Sequence, residues 1–198
     1  MTVLARKAPP DTGSGLWTAD RFLEFYMSRP EGEHWQLIDG LAMMMVPANR
    51  PHQKLSKNFL MLLEQSLARH QPHLETYYEL GLRIPGIDDF NPEPDLVVVR
   101  RDDKFDRCVD QFFLVAEIIS PSNTTEMISR KLDLYKRHPN NRYCVVVEQD
   151  SVHIALLSRD GETWTRTDLR SLDEVLRLPA FGLEATLADI YQGTPLGR

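Results

Sequence analysis

The segment Phe112-Phe113-Leu114-Val115-Ala116-Glu117-Ile118-Ile119 is apolar at every position but one. A short run rich in branched and aromatic residues, ended by Ser120-Pro121-Ser122, reads as a sheet strand buried on both faces. A lone carboxylate taken out of water costs several kcal/mol, so Glu117 requires a partner. A second β-branched run, Leu96-Val97-Val98-Val99, opens on Asp95 and carries the same requirement. Two arrangements meet it. Asp95 can cap a turn while Glu117 pairs with a nearby Arg or Lys. Alternatively, adjacent strand ends can bring both carboxylates around a cation, which relieves their mutual repulsion. A hard divalent ion such as Mg²⁺ takes oxygen ligands from one or two carboxylates and completes its shell with water and phosphate.

The rest of the pattern is that of an α/β chain with one mixed sheet and flanking helices. Thr18 caps a short helix bearing Phe22, Leu23, Phe25 and Tyr26, and Pro30 stops it. Apolar runs at 34–38 and 41–46 are split by Asp39-Gly40, a strong hairpin signal. Pro51 starts a helix whose Leu55, Phe59, Leu62, Leu63 and Leu67 recur at helical spacing. Short strands follow at 74–80 and 82–84, then the two apolar runs. Thr124 or Thr125 caps a helix to Arg137, and a hairpin spans 143–157. The segment after it, with a final helix near Leu187–Tyr191, reads as cover for the sheet. Residues 1–15 read as a flexible tail and 16–198 as a single domain, since 198 residues suit one well-filled core.

Two cysteines exclude a disulfide framework and a four-thiolate metal site. Without an apolar stretch near 20 residues or a leader-like N-terminus, a cytoplasmic protein with no membrane partner is expected. A net charge of −6 argues against coating nucleic acid by bulk electrostatics. The charge is uneven: residues 100–142 hold nine Lys and Arg against seven Asp and Glu. That segment contains Glu117 and also Lys131, which shares a helical face with Tyr135. The Met43-Met44-Met45 run reads as strand and core filling. Lys54 and Lys57 read as a solvated helix face. His52 can be a cap, or can contact phosphate.

Taken together, Pro94-Asp95, then Glu117-Ile118-Ile119-Ser120-Pro121-Ser122, then Lys131 with Tyr135, resemble the signature of the Uma-two (Uma2) restriction-endonuclease-like family of the PD-(D/E)XK superfamily. Trp35-Gln36-Leu37-Ile38-Asp39-Gly40, Met45, Pro47 and His52 resemble its N-terminal motif, and Tyr143–Val147 its next strand. The resemblance implies a restriction-endonuclease-like core and a metal-dependent DNA endonuclease acting as a homodimer. It assigns the metal, Mg²⁺ or Mn²⁺, to Asp95, Glu117 and the Ile118 carbonyl, and catalysis to these acids with Lys131 and Gln36. His52, Tyr135 and Ser120 are its substrate-binding candidates. Two departures stand out. Ile119 occupies the superfamily's usual lysine position, with Lys131 as the migrated equivalent. Gln36 replaces a family glutamate and brings no charge. A catalytically degenerate binding module, or a nuclease acting on RNA or on a branched DNA intermediate, are the alternatives.

Overall fold

The computed structural model describes residues 16–102, 107–120 and 123–197; the expected tail at 1–15 lies outside them. Helix α1 (Ala19–Met27) starts where the Thr18 side chain accepts from Arg21 N–H. Strands β1 (Trp35–Ile38) and β2 (Leu41–Met44) form an antiparallel hairpin. Asp39 and Gly40 both sit at positive φ, 49° and 73°, as a two-residue primed turn requires. Helix α2 (Arg50–His70) is capped by Asn49 and carries Pro51 in its first turn. Its buried stripe holds Leu55, Phe59, Leu63 and Leu67, and begins with His52. Helical periodicity therefore turns His52 inward with the leucines.

Next come β3 (Leu74–Tyr78), β4 (Gly81–Leu82), β5 (Leu96–Arg100), β6 (Cys108–Val109) and β7 (Phe112–Ile119). Helix α3 (Thr125–Tyr135), capped by Thr124, leads to β8 (Tyr143–Glu148) and β9 (Ile154–Asp160). The C-terminal part is β10 (Thr163–Leu169), a hairpin of β11 (Val175–Leu178) and β12 (Leu183–Thr186), and α4 (Leu187–Tyr191). The main sheet runs β10-β9-β8-β7-β5-β3. Only β7 and β8 pair parallel within it, and α3 is their crossover. The mixed sheet with flanking helices is therefore present as the sequence implies. Strand β10 is a departure: its Thr163-Trp164-Thr165-Arg166-Thr167-Asp168 is largely exposed at a sheet edge, so it lacks the apolar pattern that marks a strand.

The two faces of the sheet bury different partners. Leu96, Val98, Leu114, Ala116 and Ile118 pack with α2 and the C-terminal elements. Val97, Val99, Val115 and Cys144 pack with Leu134 and Tyr135 of α3 and with Ile38 and Met43 of the hairpin. Pairing slips by one residue between Val98 and Val99, whose partners are Leu114 and Phe112. This bulge lets Phe112 join the α3 side while Leu114, Ala116 and Ile118 face α2. Strand alternation then points Glu117 at α3. Helix α1 packs Ala19 and Phe22 on Trp35, Leu37 and Ala42, completing the hairpin's outer layer.

Past α3, His138 stacks on the Phe112 ring at 4.1 Å, and its Nε2 donates to the Asp110 carbonyl at 2.8 Å. Burial lowers its pKa below 6.5 against the opposing pull of that carbonyl. The unfolded chain then takes the proton first as pH falls, so the contribution of His138 to stability is present above pH 6.5 and lost below it. An NMR titration of the His138 ring should give a midpoint below 6.5, with stability in urea declining as pH drops through that range. A midpoint above 6.5 contradicts this.

Candidate active site at the ends of β5 and β7

Leu96 of β5 pairs with Ala116 of β7 in antiparallel register. One step outward, Asp95 and Glu117 stand at the same end of neighbouring strands. Glu117 is 4% exposed and Lys131 3%. Lys131 Nζ lies 2.6 Å from Glu117 Oε1, and the Tyr135 hydroxyl donates to that same oxygen at 2.7 Å. The i, i+4 spacing on α3 brings both donors to one carboxylate. Burial raises the Glu117 pKa, with Lys131 opposing it and the charge of Asp95 adding to it. Tyr135 is fully buried against Phe90 and Phe112, so the ring anchors the helix while its hydroxyl serves Glu117.

Asp95 has different partners. Its Oδ2 accepts the Ile118 N–H at 2.6 Å, and its Oδ1 lies 3.1 Å from His52 Nε2. Burial acts to lower the His52 pKa, but the hydrogen bond and charge of Asp95 dominate, helped by Glu79 and Glu117, and the net shift is upward. His52 Nδ1 is buried with no hydrogen-bond partner. Asp95 and His52 also line a cleft of about 650 Å³ that opens beside them. Ser120 closes β7 through Asn123 Oδ1, which accepts from the Ser120 N–H and hydroxyl at 2.8 and 2.9 Å.

Gln36 lies in β1 opposite Met43, is 9% exposed, and its Oε1 is buried without a partner. Leu37 next to it exchanges two backbone hydrogen bonds with Asn91, in the loop that leads to Asp95. Arg130 fastens the hairpin from the other side: its Nε and Nη2 both donate to Asp39, at 2.6–3.0 Å. The hairpin of Gln36 and the helix of Lys131 are thus held by a bidentate pair. Among the described residues, no three His, Cys, Asp or Glu side chains are grouped to hold a metal ion. Asp95 and Glu117 offer carboxylate oxygens, donors that suit a hard, oxygen-seeking ion.

The family model described as "Uma2: Putative restriction endonuclease" matches residues 19–188. This chain belongs to the Uma2 family. Among solved structures, the Uma2 chain is similar to one described as a "putative nuclease belonging to DUF820" from Anabaena variabilis ATCC 29413. The TM-score is 0.71 at 14% identity, over 86% of this chain and 96% of the other. At that identity the likeness speaks for a shared fold. No curated protein matches the sequence. Family membership supports a nuclease acting on nucleic acid, and no described helix is long and apolar enough to cross a membrane.

Sequence reasoning missed two groups around this Uma2 site. The Arg130–Asp39 fork joins residues 91 positions apart, and no local pattern announces it. Glu93 sits in the loop Asn91-Pro92-Glu93-Pro94, read only as a connection, yet it is 4% exposed. Burial pushes its carboxyl up to about 7, with Tyr26 and His34 acting against that. The one available signal was an acid wedged between two prolines just before an apolar strand.

The Glu117–Lys131 pair yields a stability test. Lys131→Met leaves a buried carboxylate without its cation and should cost about 3–5 kcal/mol in urea denaturation at neutral pH. The loss should shrink as pH falls, because a protonated Glu117 needs no counter-charge. Glu117→Gln combined with Lys131→Met should recover much of it. Equal losses in the single and double variants would show that the pair does not couple.

Proposed function

We propose that this Uma2 protein is a metal-dependent DNA endonuclease that hydrolyses phosphodiester bonds using Mg²⁺ or Mn²⁺. The observation that carries the reading is the convergence of Asp95 and buried Glu117 with Lys131 at one strand end. Glu117 has its proton affinity raised partly by Asp95, the repulsion that a cation between them would relieve. In this reading Asp95 and Glu117 hold the ion, with the Ile118 carbonyl as a further ligand. The ion, when bound, would act as a Lewis acid on the phosphate. Lys131 contributes positive charge where negative charge grows on the phosphate oxygens, and it helps orient the attacking water. Tyr135 and the Ile118 N–H fix the two carboxylates, so their orientation is set before substrate arrives. Ser120, at the turn after β7, and His52, against Asp95, are the nearest groups to contact the substrate backbone.

Residues 16–198 act as one domain, and two copies supply the two sites that cleavage of both strands needs. Gln36 favours a second reading, a binding module that has lost turnover, because its uncharged Oε1 stands at the family's glutamate position. One experiment separates them. Purified protein with Mg²⁺ or Mn²⁺ should nick supercoiled plasmid. Asp95→Ala and Lys131→Ala should each lower the rate by about 100-fold or more, several kcal/mol of transition-state stabilisation. Equal nicking by wild type and both variants would assign the activity to a contaminant. Absence of Mn²⁺ binding at millimolar concentration, with binding gained in Gln36→Glu, would decide for the degenerate module.

A further inference from the structure

The cleft of about 650 Å³ beside Asp95 has a composition that a phosphate backbone does not suit. Its described lining includes Glu33, Glu79 and Asp95 but no Lys or Arg. An anionic group entering it would meet three carboxylates, with His34 and His52 the lining side chains able to take positive charge. Beside the polar His34, His52, Gln53 and Ser56, its walls include Met45, Val46 and Pro47 from the segment after β2, and Tyr78 at the end of β3. Tyr78 is 46% exposed, so its ring is offered to a ligand and not spent on the core. Met45 belongs to the methionine run, of which only Met43 is in the buried core. A thioether and a phenol ring lining one space suit a flat, polarizable ligand.

Three of the polar groups there, Glu33, Glu79 and Asp95, are carboxylates. Glu79 follows Tyr78 directly and is held at positive φ, 46°, which turns the chain out of β3 at the cleft. Its Oε2 lies 3.4 Å from His34 Nδ1, which is also 3.6 Å from Glu93 Oε2. That Glu93 oxygen is buried and has no hydrogen-bond partner; His52, a residue of the cleft lining, leaves its Nδ1 likewise unpartnered. Ionised carboxylates only accept, so a ligand that meets Glu79 must bring N–H donors. A volume of this size is in the range of small-molecule sites and exceeds what a single ordered water layer needs.

We infer that this cleft receives an unpaired nucleobase, guanine in preference to the others, next to the phosphodiester on which the ion at Asp95 and Glu117 would act. The inference rests on the nuclease reading and names its substrate class. A base is uncharged, stacks on Tyr78 and the methionine wall, and presents donors on its edge. Guanine alone offers two adjacent donors, N1–H and the 2-amino group, matching the two oxygens of Glu79. Adenine and cytosine place an acceptor next to their amino group, which a carboxylate repels. Inside a duplex those edges are occupied by pairing, so the nucleotide must be single-stranded or extruded. The substrate is therefore DNA with an unpaired segment.

Fluorescence anisotropy in EDTA at low salt tests this with the full chain and three labelled DNAs. These are an octathymidine, the same strand with one central guanine, and a hairpin in which that guanine is paired. The guanine strand should bind at least about 5-fold more tightly than octathymidine and about 10-fold more tightly than the hairpin. Tyr78→Ala should weaken both single strands by about 5-fold or more, from lost stacking, while Tyr78→Phe retains affinity. Glu79→Gln should abolish the guanine-to-thymine ratio whatever it does to overall affinity. Equal binding of strand and hairpin, an unchanged ratio in Glu79→Gln, or no binding of any probe would overturn the inference. Because binding is read without divalent metal, a kept guanine ratio with no plasmid cleavage would overturn the nuclease reading and not the base site.

Discussion

The ion pair between Glu117 and Lys131, closed at 2.6 Å with both side chains almost wholly out of water, is the constraint that the surrounding elements serve. A carboxylate inside an apolar strand is tolerable only if a cation and further donors reach it. Helix α3 supplies both from one face, Lys131 and then Tyr135 one turn later. The helix can do so because it is the parallel crossover between β7 and β8 and lies over the same strand. Thr124 fixes where it starts and the Tyr135 ring, buried against Phe90 and Phe112, fixes where it ends. Such a pair adds little net stability compared with an apolar substitute.

Two further devices make that pair part of a site. The bulge opposite Val98 and Val99 adds a residue to β7, which sets the side of the sheet on which Glu117 emerges. Without it, alternation from Phe112 would turn Glu117 toward α2 and away from Lys131. The second device is the Arg130–Asp39 fork. It draws the hairpin carrying Gln36 against the helix carrying Lys131, using the neighbour of the lysine itself. Asp39 is available for this because a primed two-residue turn leaves its side chain at the tip of the hairpin.

Charge takes on a more local meaning in this setting. A total of −6 opposes nucleic acid at long range, yet part of that charge is concentrated at Asp95, Glu117, Glu79 and Glu93 around one end of the sheet. There it favours cations and hydrogen-bond donors and disfavours bare phosphate. In the proposed reading, the acidic centre would serve the backbone and the adjoining cleft the base of one nucleotide. Membership of the Uma2 family supports a nuclease.

Local chemistry made much of this legible beforehand. The turn at Asp39-Gly40, the caps at Thr18 and Thr124, the leucine stripe of α2 and the anomalous acids in two apolar runs are all short-range signals. They set the order of the helices and, apart from short β6, of the strands through β9, together with the mixed sheet and the need for partners at Asp95 and Glu117. Exposed β10 stayed hidden because an edge strand in water has no apolar alternation to betray it. The burial of Glu93, the Arg130–Asp39 fork and the cleft stayed hidden because each joins residues far apart in the chain. Which carboxylate took Lys131 and which took His52 was likewise beyond the sequence. Strand register decided it: a one-residue bulge and the pairing of Leu96 with Ala116 determine which side chains share a face, and pairing is a property of two segments together.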